Sequence, residues 1–458
     1  DYMDTSFRSM YLGLSAFLSA NKDRRDLLLS QREPDFDTSF DARIAAASDD
    51  FSRITLKAQA ARDYFLLIGP PGTGKTSRAL RGMVEAFYRE GKQILLLSYT
   101  NRAVDEICKT LSVITPEIDF IRIGSELSCD PSFRSRLIEN VLEACSTRRE
   151  VHACIEGCRV FVGTVATFSS KTDMFRLKTF DVAIVDEATQ ILEPQLLGLL
   201  CARNVAGNNT IGKFILIGDH KQLPAVVLQS ESQSEVCEEC LQSIGLYNLK
   251  DSLFERLYRT VSANHSSPTT QRFYDMLCRQ GRMNVEVARF PNHAFYGGLL
   301  EAVGLPHQQG ELVLAPGLES DEFADVLVSR VAFLPSVPET PLQSAKINHS
   351  EAQLTARLAA AVYRQYEASG SGFHSALTLG VITPYRSQIA LIKREIAALG
   401  IPVLNDILVD TVERFQGSER DVIIYSFCVN RTYQLKFLAN LTEERGVWID
   451  RKLNVALT

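Results

Sequence analysis

The sequence contains, at residues 65–76, the stretch Phe65-Leu66-Leu67-Ile68-Gly69-Pro70-Pro71-Gly72-Thr73-Gly74-Lys75-Thr76. It matches the pattern G-x-x-x-x-G-K-[ST] at every fixed position, with a strand-like run before it and a helical pattern after it. Glycines in such a turn let backbone N–H groups surround phosphate oxygens, and the start of the next helix attracts negative charge. The stretch therefore predicts a loop that binds the phosphates of a nucleotide.

The side chains of this loop have separate predicted roles. Lys75 is expected to reach the outer phosphates, and the Thr76 hydroxyl is expected to ligate Mg²⁺. An ordinary glycine and proline turn before a helix is the alternative, and the strand and helix patterns on either side weigh against it. The predicted nucleotide-binding residues of the loop are Gly69, Pro70, Pro71, Gly72, Thr73, Gly74, Lys75, Thr76 and Ser77.

Short apolar runs of about five residues recur along the first half of the chain. They include residues 94–97, 160–162, 182–185 and 214–217. Runs of this length suit strands that are buried on both faces, and helical patterns such as residues 77–90 separate them. Alternating strands and helices predict an α/β fold with a parallel, doubly wound sheet.

A second α/β pattern lies late in the chain. Its strand-like runs are 379–382, 407–409 and 422–424, with a helical pattern at 387–399. The sequence therefore predicts two tandem domains, and the chain lacks an initiator Met, so we expect it to be part of a longer protein. The predicted segments are 1–55, an N-terminal stalk or remnant of an upstream domain; 56–290, a first domain with helical or loop insertions at 115–158 and 228–265; and 291–458, a second domain truncated in its last motif.

The composition narrows the class of protein. There are 49 Lys and Arg against 55 Asp and Glu, and the net charge of -6 excludes a surface that is basic throughout but allows a local basic cleft. No apolar run approaches the ~18 residues that cross a bilayer, so we predict no membrane partner and a cytoplasmic location, or a nuclear one in a eukaryote. The 10 cysteines are too sparse for a disulfide scaffold, and Cys237 and Cys240 lack the second pair of a zinc site.

An acidic pair, Asp186 and Glu187, follows the apolar run at 182–185. A buried strand carries such residues to its carboxyl end, where open α/β sheets place their ligands. We predict that Asp186 holds Mg²⁺, directly or through water, and that Glu187 orients and deprotonates an attacking water. A pair that only caps the next helix is the alternative, and the phosphate loop upstream makes it the weaker one.

Two further side chains are candidates for contact with the reacting phosphate. Gln222 follows the run at 214–217, and an amide there could sense a γ-phosphate or position a water. Arg282 supplies a guanidinium suited to the charge that develops on a transferred phosphoryl group. Taken alone, Gln222 lies in a common kind of turn, and Arg282 would more often form a surface salt bridge.

These motifs occur in order with others along residues 55–458. The series comprises residues 69–76, 98–105, 186–190, 218–224, 280–283, 382–388 and 411–421, and residues 454–458 begin a last motif. It resembles the motifs of the superfamily 1 helicases, and it is most similar to the branch, 1B, that holds the RNA-surveillance helicases and the DNA-replication nuclease-helicases. The resemblance implies two tandem RecA-like P-loop NTPase domains, with ATP between them and single-stranded nucleic acid across their tops.

The resemblance also assigns roles by position. It implies the roles given above for the nucleotide-facing side chains, and it implies that Gly417 and Glu419 approach the nucleotide from the second domain. Hydroxyls and amides at strand ends suit phosphate contact, and an aromatic ring could stack on a base, although each such residue could instead cap a loop. The residues implied to lie near the strand are Ser98, Thr100, Asn101, Thr164, Pro384, Tyr385 and Thr411.

Three positions depart from the family pattern. Gly281 stands where the family usually has a Tyr near the adenine. The arginine that normally follows Leu-Thr in the last motif lies beyond Thr458. Gln59 is the nearest candidate for the glutamine that reads adenine, and its spacing from Gly69 is short. These departures weaken the expectation of adenine stacking and of a second phosphate-facing cation.

The sequence thus predicts an ATP-dependent motor that moves along single-stranded DNA or RNA, with ATP and Mg²⁺ as its cofactors and a 5′-to-3′ polarity implied by the resemblance alone. The alternative is a nucleic-acid-binding clamp or scaffold that ATP closes with little turnover. The sequence does not distinguish DNA from RNA as the bound nucleic acid, because contacts with the sugar-phosphate backbone can bind either. A fused or associated nuclease, or another domain, upstream is a further prediction.

Overall fold

The apolar runs that follow Tyr64 form one large parallel sheet in the computed structural model of the chain. The structure describes residues 5–227, 229–263, 270–338, 344–444 and 446–458. By its internal contacts the chain divides into two units. The first holds the residues up to His220 and Pro224–Cys278, and the second holds Lys221–Leu223 and Arg279–Thr458.

The sheet of the first unit has seven strands in the order β3-β4-β2-β5-β6-β1-β7. The strands are β1 (Tyr64–Ile68), β2 (Ile94–Ser98), β3 (Phe120–Ile123), β4 (Val160–Thr164), β5 (Phe180–Val185), β6 (Ile211–Gly218) and β7 (Tyr274–Met276). All pairings are parallel, so the carboxyl ends of the strands meet at one edge. Alternate residues feed two apolar layers: Leu66 packs on one face of the sheet, and Phe65 and Leu67 pack on the other.

Helices cover both faces of this sheet. They are α1 (Thr5–Ser19), α2 (Lys22–Leu28), α3 (Asp41–Ala45), α4 (Asp50–Ala60), α5 (Arg81–Arg89), α6 (Asn101–Ser112), α7 (Ile138–Leu142), α8 (Arg148–Gly157), α9 (Val165–Ser170), α10 (Met174–Leu177), α11 (Glu193–Leu200), α12 (Glu231–Ser234), α13 (Glu239–Gln242) and α14 (Leu253–Ser262). A π-helical turn, Lys75–Leu80, leads into α5, and short 3₁₀ turns lie at Thr38–Phe40, Glu126–Ser128, Pro131–Arg136, Ala188–Gln190 and Thr270–Arg272.

The described part of the predicted stalk, residues 5–55, belongs to the first unit. Helix α1 crosses α11 so closely that a Cβ on Gly13 would lie 2.4 Å from the Pro194 carbonyl oxygen. Leu27 and Leu28 enter the apolar layer of the sheet. Residues 1–4 lie outside the described residues, and the assignment of residues 1–55 to a stalk or an upstream remnant stays a prediction.

The predicted insertion at 115–158 is not purely helical, because it supplies the edge strand β3. The polar appearance of this strand comes from Arg122, which is fully buried and forms an ion pair with Asp105 of α6. A charged side chain can occupy a buried strand position when a partner neutralises it. The other predicted insertion, 228–265, consists of α12 to α14, with residues 228, 264 and 265 outside the described residues.

The second unit is built on a smaller parallel sheet of three strands in the order β11-β10-β12. Two further two-stranded sheets, β8-β9 and β13-β14, belong to the same unit. The strands of the whole unit are β8 (Arg279–Gln280), β9 (Glu301–Ala302), β10 (Leu379–Ile382), β11 (Leu408–Asp410), β12 (Val422–Tyr425), β13 (Leu441–Glu444) and β14 (Val447–Asp450). Its helices are α15 (Val285–Tyr296), α16 (Pro306–Gln309), α17 (Ala324–Leu327), α18 (His349–Ala368), α19 (Arg386–Ala398), α20 (Val412–Phe415), α21 (Leu435–Leu438) and α22 (Arg451–Leu457), with 3₁₀ turns at Pro402–Asp406 and Thr432–Gln434.

The three strands of this sheet lie where the apolar runs predict them, to within one residue at each end. The predicted α/β class with two tandem RecA-like domains is confirmed. The domain boundary predicted near residue 290 stays a prediction, and the division by contacts falls between Cys278 and Arg279. Among the helices that the structure describes, none combines the length and apolar character needed to span a bilayer.

A half-buried lysine closes the end of helix α4. Lys213 of β6 donates hydrogen bonds to the carbonyl oxygens of Ala58, Gln59 and Ala61, at 2.8, 3.1 and 2.9 Å. The last carbonyls of a helix have no intrahelical donor, so Lys213 satisfies groups that burial would otherwise leave unpaired. Burial lowers the pKa of Lys213 to about 8, so the ammonium is still mostly charged at neutral pH.

Replacing Lys213 with Met should destabilise the first unit by about 2–4 kcal/mol, because the three carbonyl oxygens lose their donor. The midpoint of thermal unfolding, followed by circular dichroism at pH 7, should fall by several degrees. Lys393→Met, the same change at an exposed position of α19, is the control and should leave the midpoint within about one degree. Equal midpoints for the two variants would contradict the capping role of Lys213.

Candidate nucleotide-binding site

The loop between β1 and the π-helical turn has the backbone that phosphate binding needs. Gly72 and Gly74 have φ angles of 70° and 79°, in the left-handed region that favours glycine. At Gly69 a Cβ would lie 2.7 Å from the Cβ of Lys75, so a larger residue would collide with the loop's own lysine. The Gly69 N–H donates to the Gly218 carbonyl oxygen at 2.9 Å, which continues the pairing of β1 with β6 into the loop.

Thr76 and Asp186 meet at the carboxyl edge of the sheet. The Thr76 hydroxyl donates to Oδ2 of Asp186 at 2.7 Å, and the Glu187 N–H donates to Oδ1 at 3.0 Å. Asp186 is only 2% exposed. Behind it, the hydroxyl of Ser98 at the end of β2 donates to the Asp186 carbonyl oxygen at 3.2 Å. Both the side chain and the backbone of Asp186 are therefore fixed by neighbouring elements.

Lys75 and Glu187 form an ion pair beside this contact. Lys75 Nζ lies 2.6 Å from Glu187 Oε1. Glu187 adopts a left-handed conformation with φ of 54°, which is uncommon for a residue other than glycine and turns the chain abruptly after β5. The second carboxylate oxygen, Oε2, accepts a hydrogen bond from Gln190 Nε2 at 3.0 Å. Glu187 is therefore held from both sides.

Burial and charge set the protonation of these groups. Burial raises the pKa of Asp186 to about 6, and the nearby Glu187 carboxylate adds to the increase. Burial alone would lower the pKa of Lys75, but the negative charges of Glu187, Asp186 and Asp219 outweigh it and raise that pKa. Lys75 therefore stays positively charged between two carboxyl groups.

The donor set fits Mg²⁺. A hydroxyl oxygen and a carboxylate oxygen held 2.7 Å apart are hard oxygen ligands, and Mg²⁺ in nucleotide sites takes one or two such groups together with phosphate oxygens and water. A divalent cation would also favour the ionised form of Asp186, which burial disfavours. Thr76 and Asp186 are accordingly the residues that would hold the metal.

The second unit brings two other predicted residues together. Arg282 Nε lies 2.6 Å from Oε2 of Glu419, and this ion pair is partly exposed to solvent. Gly417 has a φ of 75°, which a glycine adopts readily. Gln222 is buried on the loop after β6. The roles of these residues toward a nucleotide stay predictions.

The residues predicted to contact nucleic acid lie at strand ends in both units. Ser98 and Thr164 are register partners at the ends of β2 and β4. Thr100 caps α6 by accepting the Ala103 N–H at 3.2 Å, and Thr164 caps α9 by accepting the Thr167 N–H at 3.1 Å. Asn101 is the first residue of α6. The hydroxyls of Thr100 and Thr164 thus cap helices whether or not they also contact a nucleic-acid strand.

In the second unit, Pro384 and Tyr385 link β10 to α19, and Thr411 precedes α20. Burial raises the pKa of the Tyr385 phenol, and a hydrogen bond with the Gln434 side chain partly offsets this. β10 and β11 are parallel neighbours, so these residues lie at one edge of the sheet. Their contact with a strand stays a prediction.

Sequence reasoning gave no role to Gln190, although it lies in the same motif as Asp186. An amide three residues after an acid at a sharp turn is the signal that could have identified it. Gln59, the sequence candidate for adenine recognition, bonds through its side chain with Glu90 and through its carbonyl with Lys213. Lys213 is near the start of β6, so Gln59 lies at the sheet edge opposite the phosphate loop, and the candidate is wrong. Among the described residues, which include all ten cysteines, none forms a disulfide bond.

A phosphate loop that joins a strand to a helix and faces an Asp-Glu pair on a nearby parallel strand defines a P-loop nucleotide-binding protein. Comparison with protein families agrees. One model of an AAA domain matches residues 47–151 and 134–230, and a second model of an AAA domain matches residues 249–458.

Several relatives carry the name DNA replication ATP-dependent helicase/nuclease. The Bos taurus protein DNA2 is 28% identical over 96% of this chain and 40% of its own length, and the Xenopus laevis protein DNA2 is 30% identical over 87% of this chain and 35% of its own. JHS1 of Arabidopsis thaliana is 28% identical over all of this chain and 32% of its own length. The chain belongs to the superfamily 1 helicases, in the branch of the DNA-replication helicase/nucleases and the RNA-surveillance helicases. It spans 40% or less of the length of these relatives.

Among solved structures, an arterivirus nonstructural protein 10, a helicase in complex with DNA, matches with a TM-score of 0.32 and 13% identity. The match covers 79% of this chain and 62% of that one.

Replacing Gly74 with Ala should abolish tight nucleotide binding, because a Cβ strains the left-handed backbone that points the loop's N–H groups at phosphate. The measurement is titration with a fluorescent ATP analogue in the presence of Mg²⁺. Gly91→Ala is the matched control, since Gly91 has nearly the same φ, 76°, and its Cβ would meet no atom within 4 Å. Both variants should lose about 1 kcal/mol of stability, and a similar loss of nucleotide binding in both would contradict the role of the loop.

Proposed function

We propose that this protein hydrolyses ATP and uses the energy to move along single-stranded nucleic acid. The observation that carries the proposal is the pair of contacts Lys75–Glu187 and Thr76–Asp186, which bring the phosphate loop and the acidic pair together. The family membership supports the same function.

In the proposed reaction, Lys75 leaves Glu187 and binds the outer phosphates of ATP, with the loop N–H groups around them. Mg²⁺, held by Thr76 and Asp186, would neutralise phosphate charge. Glu187 accepts a proton from a water whose oxygen attacks the γ-phosphorus. The bond from that phosphorus to the bridging oxygen breaks, and ADP and phosphate leave. Catalysis then rests mainly on positioning and charge.

The strand that we propose as the track is single-stranded DNA. The relatives named DNA replication ATP-dependent helicase/nuclease support DNA over RNA. Their names also include a nuclease activity, and we propose that such an activity, where it accompanies this chain, resides in residues other than those of the nucleotide site. Among the described residues, no group of three or more His, Cys, Asp or Glu side chains is arranged to hold a metal ion.

Single-stranded DNA should stimulate phosphate release by the protein, and Glu187→Gln should reduce the stimulated rate about 100-fold or more while ATP still binds. A coupled phosphate assay with and without oligothymidylate measures the rate. Glu106→Gln, the same change at an exposed position of α6, is the control and should keep the wild-type rate.

A clamp that ATP closes with little turnover predicts a different result. Its affinity for a single strand would rise on adding ATP, while phosphate release would stay slow and unstimulated in the wild type as in Glu187→Gln. That combination of strand binding and phosphate release would contradict the proposed motor function and support an ATP-closed clamp. The intact set of Lys75, Asp186 and Glu187 favours turnover.

We also propose that Gln190 is a positioning residue, because its amide holds Oε2 of Glu187. When Lys75 moves to the phosphates, Gln190 remains to orient the carboxylate. Gln190→Leu should lower kcat about tenfold and leave KM for ATP nearly unchanged. Gln195→Leu is the control, because the Gln195 side chain bonds the Leu192 N–H rather than Glu187. A rise in KM with kcat preserved would contradict the positioning role.

A further inference from the structure

A pair of exposed aromatic rings lies on the segment that follows β12 in the second unit. Tyr433 is 51% exposed and Phe437 is 66% exposed. Their ring centroids are 6.4 Å apart, and the ring planes meet at 89°. An edge-to-face pair leaves ring faces open to a further flat group. We call Tyr433 and Phe437 the aromatic platform.

Two side-chain amides, Gln434 and Asn430, fix the segment that carries the platform. Gln434 is buried, and its Oε1 accepts the N–H groups of Asn430 and Arg431 at 2.9 and 2.8 Å. Asn430 donates through Nδ2 to the Ile347 carbonyl oxygen at 2.9 Å. These bonds tie the backbone on both sides of Tyr433 to neighbouring segments and so hold the two rings at the surface.

The platform adjoins a residue that the family resemblance places near nucleic acid. β10 and β12 are parallel neighbours, with Ile382 paired to Tyr425, so the segments that follow them leave the same edge of the sheet. Tyr385, which follows β10, is hydrogen-bonded to Gln434, and Tyr433 is close enough to affect its pKa. The rings of Tyr433 and Phe437 thus extend the surface on which Tyr385 lies.

The charge around the platform suits a polyanion. Arg431 and Lys436 are exposed on the same short segment, and Arg386 is exposed one residue after Tyr385. Residues 422–442 contain no Asp or Glu. Exposed aromatic rings interleaved with cations are the combination that binds single-stranded nucleic acid, since bases stack on the rings and phosphates pair with the cations.

We propose that the aromatic platform, with Arg431 and Lys436, is a stacking site for bases of a single-stranded nucleic acid. The proposal rests on the proposed function, which it extends by naming residues outside the helicase motifs. Stacking does not distinguish between bases, so the site would bind strands with little sequence preference. A base-paired duplex exposes few base faces and should bind it poorly.

The test is binding of a fluorescein-labelled oligothymidylate, and of a duplex of the same length, by fluorescence anisotropy. The double variant Tyr433→Ala with Phe437→Ala should bind the single strand about tenfold or more weakly than the wild type. Tyr433→Phe, which keeps the ring, should bind as the wild type does. Leu435→Ala is the matched control, because Leu435 is 52% exposed on the same segment but has no ring to stack.

The possible outcomes separate this inference from the proposed function. Wild-type affinity in the double variant, or an equal loss in Leu435→Ala, would overturn the stacking site while strand-stimulated ATP hydrolysis remained. A wild type that neither binds a single strand nor responds to it would instead overturn the proposed function. Photo-cross-linking with an oligonucleotide that carries 5-iodouracil should attach to Tyr433 or Phe437, and attachment only to the first unit would count against the site.

Discussion

The first unit is organised around one buried carboxylate, Asp186. A charged group without partners in such a place costs several kcal/mol, so the fold must surround it with donors. They come from separate elements: the Thr76 hydroxyl from the phosphate loop, the Glu187 N–H from the turn after β5, and the Lys75 ammonium close by. The site therefore forms only when β1, β6 and β5 are in register. This explains why the motif residues, far apart in sequence, depend on one sheet.

A buried carboxylate also organises the edge of the second unit's sheet. Glu351 of α18 accepts the Ser426 hydroxyl at 2.8 Å and the Cys428 N–H at 2.7 Å. Cys428 has a φ of 54°, an uncommon value that this bond helps to hold. The turn at Cys428 directs the chain toward Asn430 and Gln434. In both units, a carboxylate that accepts a backbone N–H stabilises a sharp turn just after a strand.

Local patterns were sufficient to predict β1, β2, β4, β5, β6 and the three strands β10 to β12, together with the acidic pair, because short apolar runs and the phosphate-loop spacing are local signals. The short strands β7, β8, β9, β13 and β14 carry no such run and were not predicted. The sequence did not predict β3, because Arg122 interrupts its apolar run and the Asp105 that neutralises it lies on another element. The assignment of Gln59 to adenine recognition was wrong because residues that are near in the sequence can be far apart in the fold. The distance of Gln59 along the chain from Gly69 is short, but α4 and β1 run to opposite edges of the sheet.

The hydroxyls predicted to contact a nucleic-acid strand differ in whether their hydrogen is available to donate to a phosphate. Thr100 accepts a helix N–H, so its own hydrogen remains free to donate to a phosphate while the cap persists. Ser98 donates its hydrogen to the Asp186 carbonyl oxygen and is fully buried, so contact with a strand would cost that bond. The Ser98 hydroxyl therefore supports the backbone of Asp186, and its contact with nucleic acid stays a prediction. Ser98 ends β2 and Thr100 lies two residues later. One short segment therefore carries both the hydroxyl that contacts Asp186 and a hydroxyl predicted to contact the nucleic acid.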